Sequence, residues 1–401
     1  MIGTVALRPM RILVNASNLV VGGGVQKAVQ FVAGCQAWGH DHRWHCIVSP
    51  EVLEGLGERP GAGHVFIETA GASPARPGAG RVTRKRLNEM ELEFEPDVAF
   101  SVLGPAYHRF NCPHLMGFAV PWLTHPSPLA WSVLQSWQRR FAFQLRLWYY
   151  SLWVRQADAW LMETRTSARG MTQRLDAAPS QLYVVPNCCS DFYFDAATKG
   201  VGLHPGLASR PSGERRLLVF TSYKPHKNLE IIPTVAARLK HERQAADVRF
   251  VFTLPDARPW RHMLAAAKRL GVGEMMVNVG PVPAFAGPSL YAGCDALFMP
   301  TVLETFSAVY PEAMCMERPI ITSDLDFARD ICGDAACYYA PTDPEAAASA
   351  IASVLGDGSV AAALVAAGRE RLPAFGSGEE RFRSTLAAIV DVANSVRRES
   401  S

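Results

Sequence analysis

The sequence predicts an α/β protein of two domains, each built around an open parallel sheet, and three observations lead to this fold class. The chain has 401 residues, which exceeds the ~250–300 residues at which a single hydrophobic core stops growing. Hydrophobic residues make up 49% and charged residues 19%, a composition typical of globular rather than disordered chains. Strand-like and helix-like segments alternate along the whole length, which indicates parallel strands joined by crossover helices.

The first predicted domain covers residues 10–188 and opens with a strand, a loop and a helix. The apolar run Arg11–Asn15 is followed by glycines at 22–24 and by a helical stretch, Val25–Trp38, that ends before Gly39. Glycine is favoured just beyond a helix C-terminus. The other predicted strands are 44–48, 65–68, 98–102, 115–120, 159–162 and 182–185, and the other predicted helices are 84–93, 131–156 and 166–175.

A linker is predicted at residues 189–214, where Gly, Pro and Ser are frequent and no periodic pattern continues. The second domain, 215–376, repeats the alternation of strands and helices. Residues 377–401 predict a last amphipathic helix that packs back toward the N-terminal domain. Two open α/β sheets form a central cleft, and ligands of such sheets lie beyond the carboxyl ends of the strands.

Composition excludes several classes of protein and partner. The formal net charge of +3 is too small to indicate a nucleic-acid partner. No apolar run approaches the ~20 residues of a membrane span, and the N-terminus lacks a secretory pattern. Nine Cys are scattered without a C-x-x-C spacing, which favours free thiols in a reducing cytoplasm over disulfides or a metal site.

The strongest local signal follows the predicted strand Ala296–Met299. Glu304 lies in the loop after this strand, and Glu312 follows eight residues later. Pro311 is predicted at the first helical position, where its missing N–H costs nothing, so Glu312 falls in the first turn. The start of this helix favours the binding of an anion such as a diphosphate. The two carboxylates can accept hydrogen bonds from hydroxyl groups of the same ligand. The alternative is that Glu304 is a solvated loop residue and that Glu312 only stabilises the helix dipole. The strand–loop–helix context favours a ligand site.

Short motifs in the C-terminal half carry a resemblance to a known family. The segment Gly280–Pro341 contains G-P-V, L-Y-A-G-C-D-A, P-T-x-x-E-T-F-S, P-E-A-M and C-G-D-A-A. It resembles the retaining family 4 glycosyltransferases of the GT-B fold, and Leu182–Phe194 and Met10–Ala28 extend the similarity. The resemblance implies two Rossmann-like domains facing a central cleft. It also implies sugar transfer from a nucleotide-activated donor with retention of configuration, without a metal or another cofactor.

The resemblance also implies roles for individual residues. Glu304 is similar to the acid that meets the donor sugar, Glu312 to the ribose-binding acid, and Lys227 to the lysine that binds the donor diphosphate. The other donor-side residues that the resemblance implies are Thr305, Phe306, Ser307, Val282, Gly23 and Gly24. An ordinary exposed lysine at a helix start is the alternative for Lys227, although a positive charge is slightly unfavourable there.

The sequence departs from the family at one position of the phosphate site. Many members have an arginine five residues before the lysine, where this chain has Ser222. A charged hydrogen bond contributes roughly 1.5–3 kcal/mol, so its loss calls for a replacement. Lys224 is the candidate substitute.

The glycines at 22–24 do not form G-x-G-x-x-G, so the dinucleotide fingerprint is absent and a dehydrogenase is disfavoured. Glycines there let a backbone approach a ligand closely, and a flexible turn is the alternative.

Two clusters superficially suggest a metal site. Asp324 and Asp326 form a D-x-D, but an Asp after a strand often caps the next helix. A second cluster, between a helix end and a strand, is best interpreted as a solvated loop plus one strand-face histidine; it comprises His40, Asp41, His42 and His45. No metal is therefore predicted. His125, after a predicted strand, is the acceptor-side candidate.

Residues 98–157 contain no Asp or Glu but carry five arginines and many aromatic residues. A long helix buried in the N-terminal domain is the favoured interpretation. The alternative is that Trp131–Arg155 presents a basic and aromatic face to an anionic, lipid-borne acceptor or to a membrane surface.

Together these observations predict a cytoplasmic enzyme, and the alternative of a membrane-facing Trp131–Arg155 would place it at the inner face of the cytoplasmic membrane. The predicted donor is a UDP- or GDP-sugar, the acceptor a glycan or a lipid-linked sugar, and the pathway surface polysaccharide or lipopolysaccharide biosynthesis. Two alternatives stay open: a sugar-nucleotide epimerase of the same fold, and a catalytically silent sugar-nucleotide-binding subunit.

Overall fold

The structure is a computed structural model that describes residues 8–57, 62–76, 78–134, 136–241 and 247–399. The chain divides into two compact units. The N-terminal unit comprises the chain up to His125, Phe141–Pro186, and the residues from Gly378 onward. The C-terminal unit comprises Pro126–Arg140 and Asn187–Ser377.

The N-terminal unit contains a seven-stranded sheet in the order β3-β2-β1-β4-β5-β6-β7. All of its described strand pairs are parallel. Its strands are β1 Arg11–Ala16, β2 Arg43–Val48, β3 Val65–Thr69, β4 Val98–Ser101, β5 His114–Gly117, β6 Ala159–Met162 and β7 Leu182–Val184. The helices of the first half are α1 Gly23–Trp38, α2 Pro50–Leu56, α3 Gly80–Phe94, α4 Pro121–Thr124, α5 Pro128–Ser132, α6 Trp137–Val154 and α7 Arg165–Leu175.

The C-terminal unit contains a six-stranded sheet in the order β10-β9-β8-β11-β12-β13, with parallel pairing throughout its described strands. Its strands are β8 Arg215–Val219, β9 Val248–Phe252, β10 Met276–Asn278, β11 Ala296–Met299, β12 Ile320–Ser323 and β13 Ala336–Tyr339. The helices that follow the first half are α8 Asp191–Lys199, α9 Ile232–His241, α10 Arg258–Arg269, α11 Gly287–Ala292, α12 Val309–Cys315, α13 Asp326–Cys332, α14 Pro344–Gly356, α15 Gly358–Arg371 and α16 Gly378–Glu399.

These two parallel α/β sheets confirm the predicted fold class. Helices cover parallel sheets on both faces, so the central strands are buried and consist of nearly continuous apolar runs. In β1, for example, every residue after Arg11 is buried, and in β11 all four residues are buried.

The C-terminal helix α16 packs on the N-terminal sheet. The ring of Phe382 lies 5.4 Å from that of Phe31 and 6.0 Å from that of Trp44, measured between centroids. Ile389 is fully buried in the same core. The end of the predicted range 377–401 lies outside the described residues.

The segment predicted as a linker, 189–214, is largely ordered structure of the C-terminal unit. It contains α8 and a short 3-10 turn at Pro205–Leu207. Tyr193 and Leu207 are both buried in the core of that unit. The prediction missed α8 because the Gly, Pro and Ser residues around it obscure a short aromatic run whose burial depends on distant elements.

The long helix predicted at 131–156 is wrong in two respects. It is split, because α5 ends at Ser132 and α6 begins at Trp137. It is also not a buried helix, since within α6 only Leu147 and Val154 are buried, while Trp137 and Trp148 are 73% and 63% exposed.

No single helix among the described residues has the length and apolar character needed to cross a membrane. One bent pair, Pro344–Gly356 with Gly358–Phe375, meets the criteria of length and composition only when its two parts are taken together, at an angle of 93°.

Candidate donor-binding site

The strands β8 and β11 are neighbours, and the loops that follow them are joined by hydrogen bonds. The Val302 N–H donates to the carbonyl of His226 (2.8 Å). Thr301 Oγ1 donates to the same carbonyl (3.1 Å) and lies 3.4 Å from Glu304 Oε1. Glu304 is thereby held at the carboxyl ends of two adjacent strands, where ligands of open α/β sheets bind.

Lys227 forms an ion pair with Glu304. The lysine ends a 3-10 turn, Pro225–Lys227, that follows β8, and 77 residues separate it from its partner. Both side chains are largely removed from water, with 11% and 12% of their surface exposed. The alternative of an ordinary exposed lysine is therefore wrong. A buried pair of this kind is costly to break from one side, because the remaining charge loses its partner.

His226 is the neutral neighbour of this pair. Burial is the main cause that lowers the pKa of His226, to about 4, and the positive charges of Lys227 and Lys224 add to that effect. The imidazole is therefore uncharged at neutral pH.

The side chain of Glu312 is buried against two tyrosines, Tyr193 and Tyr291. Burial raises the pKa of Glu312 to about 7, against the hydrogen bonds from Tyr193 and Tyr291, which lower it. Tyr291 Oη donates to the Val309 carbonyl (2.9 Å) and lies 3.4 Å from Glu312 Oε2. The two tyrosines come from α8 and α11, so elements distant in sequence set the ionisation of this acid.

The helix that carries Glu312 begins earlier than predicted. Helix α12 starts at Val309, which places Pro311 at the third helical position rather than the first. Proline is tolerated there because none of the first four N–H groups of a helix has a partner within the helix. Glu312 nevertheless remains in the first turn.

The loop between the two acids is well packed. Thr305 and Ser307 are buried, and the ring of Phe306 meets that of Phe375 at a centroid distance of 5.9 Å. The Tyr310 N–H donates to the Ser307 carbonyl (3.2 Å) and closes the turn into α12. Burial, a ring contact and a backbone hydrogen bond thus hold the loop between Glu304 and Glu312.

Comparison with known proteins agrees with this geometry. Residues 214–357 match the model of the family described as "Glycosyl transferases group 1", and this segment contains Lys227, Glu304 and Glu312. The chain is a glycosyltransferase. No curated protein sequence matches it.

Solved structures show that the glycosyltransferase has the GT-B fold. A glycosyltransferase from Rickettsia africae ESF-5 has a TM-score of 0.71 and 16% identity, covering 96% of this chain and 99% of that one. The sucrose-phosphate synthase from Thermosynechococcus elongatus has a TM-score of 0.72 and 14% identity, covering 96% and 100%. Anabaena HepE in complex with UDP and glucose has a TM-score of 0.63 and 14% identity, covering 94% and 100%.

Three further donor-side candidates of the glycosyltransferase lie in its C-terminal unit. Ser222 and Lys224 are exposed in the loop after β8. The Lys224 carbonyl accepts a hydrogen bond from the Lys227 N–H (2.9 Å), so the two lysines share one turn. Val282 is partly buried and packs against the apolar core of this unit.

The remaining candidates lie in the N-terminal unit of the glycosyltransferase. Gly22 has a φ of +66° and immediately precedes α1, a conformation that favours glycine. A Cβ at Gly23 would meet no atom within 4 Å, whereas one at Gly24 would touch Leu19 and Leu103. His125 follows α4, and its Nδ1 lies 2.7 Å from Thr124 Oγ1.

The D-x-D of the glycosyltransferase is engaged in protein contacts. Arg329 donates to both carboxylate oxygens of Asp324, at 2.5 and 2.8 Å. Asp326 lies in the first turn of α13.

The histidine cluster is dispersed. His40 bonds the Ala37 carbonyl (2.8 Å), His42 Nδ1 accepts from the Met10 N–H (3.3 Å), and His45 lies on β2. Within the ranges that the structure describes, no three His, Cys, Asp or Glu side chains are grouped as for a metal ion.

Sequence reasoning missed a buried charge cluster in the N-terminal unit. Glu163, directly after β6, is 4% exposed by its side chain and pairs with Lys27 of α1 (2.6 Å). Arg381 of α16 approaches the same oxygen (3.7 Å) and donates to the Pro186 carbonyl (3.2 Å). The only signal in the sequence was an acid, Glu163, at the carboxyl end of a predicted strand. Its two partners could not be inferred, because Lys27 and Arg381 come from opposite ends of the chain.

Proposed function

We propose that this glycosyltransferase transfers a sugar from a UDP- or GDP-sugar to a glycan or lipid-linked acceptor, with retention of configuration. We further propose a cytoplasmic enzyme of surface polysaccharide or lipopolysaccharide biosynthesis. The observation that carries the proposal is the buried Lys227–Glu304 pair, with Glu312 on the helix that follows. Lys227 and Glu304 thus lie in the loops after two adjacent strands, β8 and β11, and the second acid, Glu312, lies in the first turn of α12. The UDP and glucose bound by Anabaena HepE support the choice of donor class.

In this proposal the diphosphate of the donor takes Lys227 as its counter-ion. An ammonium group stabilises the negative charge that develops on the leaving phosphate. When Lys227 turns to the phosphate, the Glu304 carboxylate becomes available to the sugar and orients it as the glycosidic bond breaks. Glu312 accepts hydrogen bonds from the ribose hydroxyls.

The acceptor is proposed to lie on the side of the N-terminal unit, near Gly23, Gly24 and His125. A phosphate oxygen of the leaving group is the proposed acceptor of the proton from the attacking hydroxyl. Since Lys227 and the dipole at the start of α12 supply the positive charge, the proposed reaction uses no metal and no cofactor.

A thermal-shift screen with UDP-, GDP- and ADP-sugars tests donor binding. One nucleotide class is expected to raise the Tm in proportion to the logarithm of its concentration. The same shift should be absent from Lys227→Ala and retained in Asp256→Asn, a control whose carboxylate pairs on the surface with Arg261. Failure of every nucleotide sugar to stabilise the wild type would overturn the proposal.

A second assay separates transfer from epimerisation. The enzyme is incubated with the identified donor alone and then with added glycan acceptors, and products are resolved by mass spectrometry and by NMR of the anomeric proton. Acceptor-dependent release of the nucleotide with an unchanged anomeric configuration is expected. Isomerised donor formed without any acceptor would instead favour the epimerase alternative.

A further inference from the structure

The buried charge cluster of the N-terminal unit holds two cations for one acid. Lys27 of α1 pairs with Glu163 (2.6 Å), and Arg381 of α16 lies 3.7 Å from the same carboxylate oxygen. The two cationic side chains are each 16% exposed. Among the residues that the structure describes, neither of them pairs with a second carboxylate. One positive charge is therefore in excess, and a largely buried charge without a counter-ion is costly.

Neighbouring acids on the same helices do not supply the missing counter-ion. The first turn of α16 contains Glu379 and Glu380. Glu379 pairs with Arg383 one turn further along the helix (2.6 Å), and Glu380 is exposed. The first turn of α1 contains no acid. The charge excess at Lys27 and Arg381 is thus not offset by the helices that carry them.

Two helix N-termini add to the positive potential of the cluster. Helix α1, which carries Lys27, begins at Gly23 without a side-chain cap. Helix α7 begins at Arg165, two residues after Glu163. Because the N-terminus of a helix carries a partial positive charge, Glu163 faces the end of α7 as well as the two cationic side chains. A single carboxylate does not balance this amount of positive charge.

Arg381 has hydrogen-bond donors that no described residue uses. Its Nε donates to the Pro186 carbonyl (3.2 Å) and so orients the guanidinium. A guanidinium has five N–H donors, and the remaining ones make no hydrogen bond within the described part of the chain. Both carboxylate oxygens of Glu163, in contrast, are shielded from solvent. An incoming anion would therefore meet the exposed surface of the two cations and not the acid.

The chemistry of these donors selects the ligand. The planar fork of a guanidinium binds two oxygens of a phosphate or a carboxylate in parallel, and an ammonium group adds a point charge. Lys27 and Arg381 belong to the N-terminal unit, which is the proposed acceptor side, whereas the proposed counter-ion of the donor diphosphate, Lys227, belongs to the C-terminal unit. The acceptor is therefore the reactant to which such an anionic group belongs.

We infer that Lys27 and Arg381 bind a phosphate or carboxylate group of the acceptor, and that Glu163 pairs with Lys27 while the site is empty. This inference rests on the proposed function and deepens it, because it requires the acceptor of the sugar to carry an anionic group.

Anion binding by the full chain tests the site without any sugar. The background variant is Lys227→Met, Glu304→Gln, in which both charges of the donor-site pair are removed together. Inorganic phosphate and acetate are titrated at constant ionic strength, with chloride as the reference. One of them is expected to raise the Tm with the logarithm of its concentration, and the larger shift identifies the group as phosphate or carboxylate. Adding Arg381→Gln should weaken that binding on the order of ten- to a hundredfold, as for one lost hydrogen bond between charged groups.

The variants are chosen so that the fold persists. Arg381→Gln leaves the pair between Lys27 and Glu163 in place. The double variant Lys27→Met, Glu163→Gln removes both members of that pair, so neither charge is left buried alone, and it should also weaken anion binding. The matched control is Arg383→Gln, two positions further along α16, which removes an arginine that is 65% exposed and paired with Glu379. It should bind the anion like the background variant.

Kinetics with the identified donor tests the assignment to the acceptor. Arg381→Gln in the otherwise wild-type enzyme should raise the KM of acceptors that carry phosphate or carboxylate by a similar factor. It should leave unchanged the KM of their neutral counterparts and the donor-induced thermal shift.

The inference would be overturned if neither anion shifted the Tm more than chloride, or if Arg381→Gln bound the anion as tightly as the background variant. A raised donor Kd in Arg381→Gln, or an equal rise in KM for charged and neutral acceptors, would also overturn it. Failure of every nucleotide sugar to stabilise the wild type would instead overturn the proposed function, and the anion titration would still report on Lys27 and Arg381.

Discussion

Replacing Glu312 by glutamine should make the stability of the free enzyme less sensitive to pH. Burial raises the pKa of Glu312 to about 7 from an ordinary 4.5. Folding therefore favours the protonated acid. The stability that this group contributes is fully present below about pH 4.5 and is lost as the pH rises through about 7. The difference corresponds to about 3 kcal/mol, at about 1.4 kcal/mol for each pKa unit.

Glutamine has nearly the shape of the protonated acid and does not ionise. Relative to wild type, Glu312→Gln should therefore gain about 3 kcal/mol of unfolding free energy between about pH 5 and about pH 8. Urea unfolding followed by circular dichroism, at several pH values across this interval, measures the gain. Donor affinity should fall in the same variant, as expected where a binding group is held at a cost in stability.

The control for this experiment is Glu317→Gln, just beyond the end of α12. Its carboxylate is exposed, and the hydrogen bond from Arg369 holds the pKa of Glu317 below its ordinary value. Glu317 is thus ionised throughout the interval, and its replacement should change stability by the same small amount at every pH. A Glu312→Gln effect that is equally independent of pH would refute the argument that this acid is desolvated.

Three further predictions concern catalysis and donor binding. Glu304→Gln should lower kcat far more than it raises the donor Kd, whereas Glu312→Ala should mainly raise the donor Kd. Kinetics measures kcat and calorimetry measures Kd. Normal turnover in Glu304→Gln would show that Glu304 is not a catalytic residue. Activity should survive EDTA, because the proposed reaction needs no metal. Complete loss of activity in EDTA that Mn²⁺ or Mg²⁺ restores would instead support a metal site at Asp324 and Asp326. Lys224→Ala should weaken donor binding by roughly 1.5–3 kcal/mol if it replaces the absent arginine, and an unchanged Kd would show that it does not.

The sequence by itself determined the two-sheet architecture and the strand–loop–helix segment that carries both acids. These are local properties, because hydrophobic periodicity and turn residues act within one element or between neighbours in the chain. The ends of helices were predicted less well. Helix α12 begins early, at Val309, and the predicted helix 131–156 is interrupted between Ser132 and Trp137. Cap geometry depends on side chains that a periodic pattern does not specify.

Only the tertiary structure decided which groups face one another. Lys227 reaches Glu304 because β8 lies beside β11 in the sheet, and strand order is not encoded in either loop. Tyr193 reaches Glu312 because α8 packs on the C-terminal unit, although its surroundings resemble a linker. The two faces of α6 are similarly apolar, so composition could not tell which one is buried. That choice was made by the contacts of Tyr107 and Trp122, which anchor the helix and leave Trp137, Phe141 and Trp148 exposed to solvent.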